Sequence, residues 1–144
     1  MNKQKLSAKD FLSQAYRIDQ RIDSKIEQVS SLHDLAAKAT STLSDVPPSG
    51  TRNIRRMEDI ICKIVDLEAE INSDIYSLVD LKRKIIEVIK SVSNTEYQTI
   101  LELRYLCFKT WEQIAVDMCY SIHHLYKMHN AALEVCNWIL NRDT

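Results

Sequence analysis

The strong chain-breaking residues in these 144 positions are two prolines and one glycine, and all three fall between positions 47 and 50. A sheet needs repeated turns, and turns draw on glycine's tolerance of positive φ or on proline's preset φ. A chain with one such break, Asp45-Val46-Pro47-Pro48-Ser49-Gly50-Thr51, is expected to be all-α and to reverse once at that point. The length suits one domain, or a small domain carrying a long helical extension.

Two long apolar stripes flank the break. In the first, Phe11, Ala15, Ile18, Ile22, Val29, Leu32, Ala36, Ala39 and Leu43 recur at threes and fours, with Lys25 on the stripe and Ile26 beside it. Ser7 and Asp10 form a capping-box pattern at its start, with Leu6 placed to staple against Phe11. The spacing predicts one helix to about Ser44, roughly 55 Å long at 1.5 Å per residue. In the second stripe, Met57, Ile64, Ile71, Leu78, Ile85 and Val92 stand seven apart, interleaved by Ile60 or Ile61, Leu67, Ile75, Leu81 and Ile89. That predicts a helix from Thr51–Asn53 to about Ser91, with Asp74 and Lys82 interrupting the interleaved row. Two helices of near-equal length imply an antiparallel, coiled-coil-like hairpin over residues 1–92. Doublets such as Ile60-Ile61, Ile64-Val65 and Ile85-Ile86 make the second stripe wider than one partner covers. Self-association through this arm, as a dimer, is expected to cover it; the alternative is that the C-terminal helices fold back over it.

Residues 93–144 read as a separate trihelical domain. Ser93-Asn94-Thr95-Glu96 is a second capping-box pattern opening a helix to about Cys107. Phe108-Lys109 is a connector, Thr110 with Gln113 caps the next helix, Cys119-Tyr120 is a turn, and Ser121 caps the last helix. Ile114, Ala115 and Met118 would face inward from one helix, and Leu125, Met128 and Ala132 from the next, with Trp138 helping to close the core. Ala115 is small where two helices must cross, and Leu125 follows ten residues later. That is helix-turn-helix spacing, in which the second helix is offered to the DNA major groove.

Composition narrows the function classes. Charged residues are 27% and apolar ones 45%, and no uncharged apolar run approaches the roughly 20 residues of a spanning helix. The N-terminal MNKQKLSAKDFLSQAYRID gains acids too early for a signal peptide, so a cytoplasmic protein without membrane contact is expected. Cys62, Cys107, Cys119 and Cys136 show no CxxC pairing and read as reduced, mostly packing thiols. The spacing of Cys119, His123, His124, His129 and Cys136 fits no zinc pattern, so neither metal nor cofactor is expected. With no glycine-rich phosphate loop, no HExxH and no nucleophile with a placed base, enzymatic activity is not expected either. Within 93–144, Arg104, Lys109, Lys127 and Arg142 face six acids, a mildly acidic balance that argues against tight solitary DNA binding.

Leu103-Arg104-Tyr105-Leu106, Thr110-Trp111-Glu112-Gln113-Ile114-Ala115, Tyr120-Ser121, Leu125 and Ala132-Leu133 resemble region 4 of sigma-70-type factors, over about residues 94–140. Arg56-Met57-Glu58-Asp59, Lys63 to Glu68, Tyr97-Gln98-Thr99 and Leu101 to Ile114 resemble small proteins of Gram-positive phages and prophages with a sigma-region-4-like end. Relatives of that group include the RinA- and ArpU-type late transcription regulators. The resemblance implies a transcriptional regulator that contacts promoter DNA, with host RNA polymerase as a second partner. The sequence departs from the pattern at Cys119, where a left-handed glycine is usual, and at Ala131, where a base is common.

On the outward face of the last helix, Ser121, His123, His124, Tyr126, Lys127 and Asn130 are the expected DNA contacts. Ser121 can cap and meet a phosphate, Asn130 and the histidines can bond base edges, and Lys127 can meet guanine or phosphate. His129 is expected to turn partly inward beside Met128, and Tyr105 and Trp111 to be core residues. Arg52, Arg55 and Arg56 form the densest basic cluster and read as the solvated start of the second helix. Two other readings stay open. One is a non-DNA interaction and oligomerisation module. The other is a DNA-packaging adaptor like small terminase subunits, although those usually place the DNA-binding unit first.

Overall fold

A computed structural model describes the backbone of residues 7–43 and 50–142 and the side chains of residues 7–39 and 54–142. The Pro47-Pro48 reversal, the Leu6 staple and the side chains of Leu43 and Arg52 lie outside the described residues. The elements are helices α1 (Ala8–Leu43), α2 (Gly50–Lys90) and α3 (Thr95–Leu101), a π-helical turn (Glu102–Leu106), α4 (Trp111–Met118) and α5 (Ile122–Arg142). No strand occurs among the described residues, and the all-α reading holds. None of these helices is long and apolar enough to cross a membrane.

Helices α1 and α2 form the expected antiparallel hairpin: Ser24, Gln28 and Leu32 line one groove with Glu70, Leu67 and Lys63, in reversed order. The heptad stripe faces inward as the spacing predicted, with Ile64, Ile85 and Val92 buried. Ile60, not Ile61, takes the interleaved position, since Ile61 is half exposed. Two heptads further along, the inward position belongs to Asp74 rather than Ile75, which is 41% exposed. The reason lies opposite. Lys25 holds the α1 stripe position and donates to Asp74 Oδ2 at 2.7 Å, with Glu70 Oε2 at 3.6 Å. An apolar pair is replaced there by an ion pair, with side chains only 15% and 17% exposed. Such a pair fixes register more than it adds stability.

By packing, the chain divides into two compact units, Asp19–Ser77 and Met1–Ile18 with Leu78–Thr144. The first, the hairpin unit, consists among the described residues of parts of α1 and α2. The second, the head unit, takes in the start of α1 and the end of α2, so its limits differ from a division at residues 92 and 93. Its main core joins Ala8, Leu12 and Ala15 of α1 and Ile85, Ile89 and Val92 to Leu101, Tyr105, Ala132, Cys136 and Ile139. Within this unit, folding back of the C-terminal helices is what covers the α2 stripe. Asn137 of α5 ties the layers together by accepting the Ala8 N–H at 2.7 Å. Lys82, the other interruption of the α2 row, reaches the Leu106 carbonyl at 3.4 Å and sits 4.9 Å from the Phe108 ring centre.

Two sequence expectations need correction here. The α3 cap is Asn94, one residue after Ser93, and its side-chain oxygen accepts the Glu96 and Tyr97 N–H groups. Trp138, expected to close the core, is 63% exposed beneath the Arg142 guanidinium, while Cys136 and Ile139 fill the buried row of α5.

Candidate functional site

Helix α4 begins with Thr110, whose hydroxyl accepts the Gln113 N–H while the Gln113 side chain accepts the Thr110 N–H. Ile114 and Ala115 are buried and Met118 half-buried, as the spacing predicted. They pack with Leu125 and Met128 of α5 and with Ile100 of α3 in a second core. Three short helices thus brace one another around the turn.

That turn has a defined geometry. Cys119 has φ 58° and ψ 38°, a left-handed conformation in a non-glycine residue. Its N–H donates to the Val116 carbonyl at 3.3 Å, and the Tyr120 N–H donates to the Ala115 carbonyl at 3.0 Å. Those two bonds define a Schellman motif, with Cys119 where glycine is usual and Tyr120 packed beside Ala115. The turn implied by the resemblance is kept, at a backbone cost of about 1–2 kcal/mol.

Beyond the turn, Ser121 Oγ accepts the His124 N–H at 3.2 Å and caps α5. All six residues expected on the outward face, Ser121, His123, His124, Tyr126, Lys127 and Asn130, are exposed. His123, Tyr126 or Lys127, and Asn130 follow one another at threes and fours, so they share one side of the helix. Two of the six are also held from below: Tyr126 stands edge-on to Trp111 at 5.4 Å, and His124 edge-on to Tyr120 at 5.0 Å. Lys127 stands free of carboxylates in its own helical turns. Lys109 does not, because it bonds Asp117 at 2.6 Å, and that carboxylate raises its pKa.

His129 is buried rather than partly inward. Its Nε2 lies 2.6 Å from the Tyr105 hydroxyl, and its ring sits 4.5 Å from Trp111. Burial first, then the nearby Lys9 and Arg104 charges, lowers its pKa to about 4, so the imidazole is neutral at pH 7. Burial likewise pushes the Tyr105 phenol up to about 12. Tyr105 is in the core as expected. Trp111 is only half-buried, with the Arg104 guanidinium 4.5 Å from its ring centre. Sequence reasoning missed Arg104 and Lys9 here, because neither lies on a stripe or in a motif that links it to His129.

The cysteines depart from the reading as packing thiols. Cys62, Cys107 and Cys119 are exposed, and only Cys136 is buried, its pKa raised by burial to about 11. Arg55 and Arg56 are exposed on the hairpin unit.

No curated protein and no solved structure matches the chain. A family model described as protein of unknown function (DUF1492) matches residues 38–137, more than half of the chain. The stretch runs from the end of α1 through α2 and the helix-turn-helix into α5. The protein therefore belongs to the DUF1492 family.

Proposed function

We propose that this protein is a phage- or prophage-type transcription regulator that sets the exposed face of α5 against duplex DNA. The observation that carries the reading is the α4–turn–α5 unit. A left-handed Schellman turn at Cys119 orients a capped helix whose outward side chains are Ser121, His123, His124, Tyr126, Lys127 and Asn130. These hydroxyl, imidazole, amide and ammonium groups suit phosphate and base-edge contacts. One lysine on that face, unpaired among the described residues, supplies little phosphate affinity, so the helix places the protein on DNA and a larger complex adds strength. Host RNA polymerase, in the cytoplasm, is the partner the sigma-region-4 resemblance suggests.

The hairpin unit supports assembly as a dimer. Ile54, Ile61, Val65, Ile75 and Tyr76 of α2 are each between 41% and 77% exposed, a second apolar row beyond what α1 covers. Rows of that kind mark association surfaces. The acid excess of residues 93–144 favours a second reading, in which the head binds a protein and not DNA. Capture of the tagged chain from prophage-bearing Gram-positive cells separates the two. Recovery of a specific phage promoter, with or without polymerase, supports regulation. Recovery of neither promoter DNA nor polymerase rejects it.

A further inference from the structure

Three segments distant in sequence close around one cavity in the head unit, with a volume of about 580 Å³. The start of α1 supplies Lys9 and Tyr16, the α3–α4 region Arg104, Phe108 and Trp111, and α5 Tyr126, His129 and Asn130. Cavities of this size and mixed lining are the ordinary receptacles of small molecules. Neither the helix-turn-helix nor the hairpin explains why it is there.

The walls specify the ligand's chemistry. They are aromatic on several sides: Tyr16 meets Phe108 edge-on at 5.6 Å, and Tyr126 and His129 meet Trp111 edge-on at 5.4 and 4.5 Å. Aromatic cages often hold cations, but this one is already positive. Lys9 and Arg104 line it, and no aspartate or glutamate does. Arg104 spends one N–H on the Lys109 carbonyl at 3.0 Å and its face on Trp111, which leaves further donors. The imidazole between these cations is neutral and bonded to Tyr105, so it neither repels an anion nor neutralises one. Asn130 adds an amide that can donate and accept on the edge of a heterocycle.

We propose that this cavity binds a free nucleotide, a planar base among the aromatic side chains with its phosphate held by Lys9 and Arg104. Flat rings suit the walls, a phosphate answers two cations with no facing carboxylate, and the amide meets base-edge groups. The cavity shares Tyr126 and Asn130 with the proposed DNA-facing side of α5, so a nucleotide there and duplex DNA would compete for those two side chains.

The test uses the full chain carrying Trp138→Phe, which leaves Trp111 as the sole tryptophan. Its emission is followed during titration with each of the four nucleoside 5′-monophosphates, inorganic phosphate and a single-stranded tetranucleotide. Saturable change with at least one monophosphate is expected, and none with phosphate alone. Lys9→Gln and Arg104→Gln should each weaken that binding about tenfold or more, the effect of losing a charge-assisted bond. Lys9 is exposed, so its variant keeps the test sound if the Arg104 variant is misfolded by circular dichroism. Absence of saturation at millimolar monophosphate, phosphate binding as tight as the nucleotide's, preference for the tetranucleotide, or unchanged affinity in Lys9→Gln would each overturn the proposal.

Discussion

The two compact units solve the same packing problem with different success. In the head unit, Leu12, Ile85, Ile100, Leu101, Ile114 and Leu125 are all fully buried, each enclosed from more than one side. In the hairpin unit, the buried apolar side chains among the described residues are Ile22, Ile60 and Ile64, at 6–8% exposure. An ion pair sits inside its seam, and Ile61, Val65 and Tyr76 face solvent. Both units share the same two helices and, on α2, the same seven-residue stripe. What differs is the number of layers. Two helices bury one stripe each, whereas the added α3, α4 and α5 turn a seam into a closed core.

The sharpest way to break that contrast is to make one substitution twice on one stripe. Ile85→Ala in the head unit is expected to cost about 4 kcal/mol, and Ile64→Ala in the hairpin unit about 2 kcal/mol. Urea unfolding followed by circular dichroism measures both. Equal costs would mean that the hairpin seam is as enclosed as the head. If the chain dimerises through the exposed row of the hairpin unit, the urea midpoint will rise with protein concentration, and Val65→Ser on that row will reduce the rise.

The head core also contains a buried neutral imidazole, whereas the polar groups of the hairpin seam are a paired lysine and aspartate. Burial, then Lys9 and Arg104, holds His129 near pKa 4, while the unfolded chain takes up that proton near 6.5. Its contribution is therefore complete above pH 6.5 and is lost as pH falls towards 4, on the order of 3 kcal/mol. Against wild type, His129→Gln should show a flatter decline of unfolding free energy across that window. Parallel declines would remove His129 as the cause.

Smaller effects probe the polar seam and the strained turn. Asp74→Ala leaves Lys25 half-buried with only the longer Glu70 contact and should cost about 1–2 kcal/mol. The Lys25→Leu, Asp74→Leu double variant should equal or exceed wild-type stability, at the risk of a shifted register. A double variant that stays as unstable as Asp74→Ala would refute the apolar-replacement argument. In the head, Cys119→Gly relieves a left-handed non-glycine residue, and the gain is about 1 kcal/mol or a rise in Tm of about 2–4 °C. A lower Tm would mean that the Cys119 side chain contributes packing that outweighs its backbone cost.

The sequence made much of this visible where one local pattern controls the outcome. The Ser7, Thr110 and Ser121 caps, the heptad stripe and the Cys119 turn follow from short-range chemistry, and the structure places them within a residue. The π-helical turn was hidden. Its signature is the Cys107 N–H reaching the Glu102 carbonyl at 3.0 Å, and apolar periodicity fixes faces without fixing hydrogen-bond ring size. It lies where Ile100 serves one core and Leu101 and Tyr105 the other. The left-handed Phe108, φ 57°, was hidden for the same reason. Least visible was the cavity around Trp111, because Lys9, Arg104 and His129 meet only in the folded unit. The six α5 residues were legible as an exposed face, since exposure follows from helical phase; what they touch does not.

The most direct measurement is the affinity of the full chain for phage-promoter duplex by fluorescence anisotropy across a salt series, in wild type and Lys127→Gln. A reading head with one lysine on its DNA-facing side predicts weak binding by the chain alone that falls with salt, a slope lower by about one in the variant, and weaker binding still to random duplex. Absent binding, or binding indifferent to salt and to Lys127, would contradict it and leave the α5 face as a protein-docking surface.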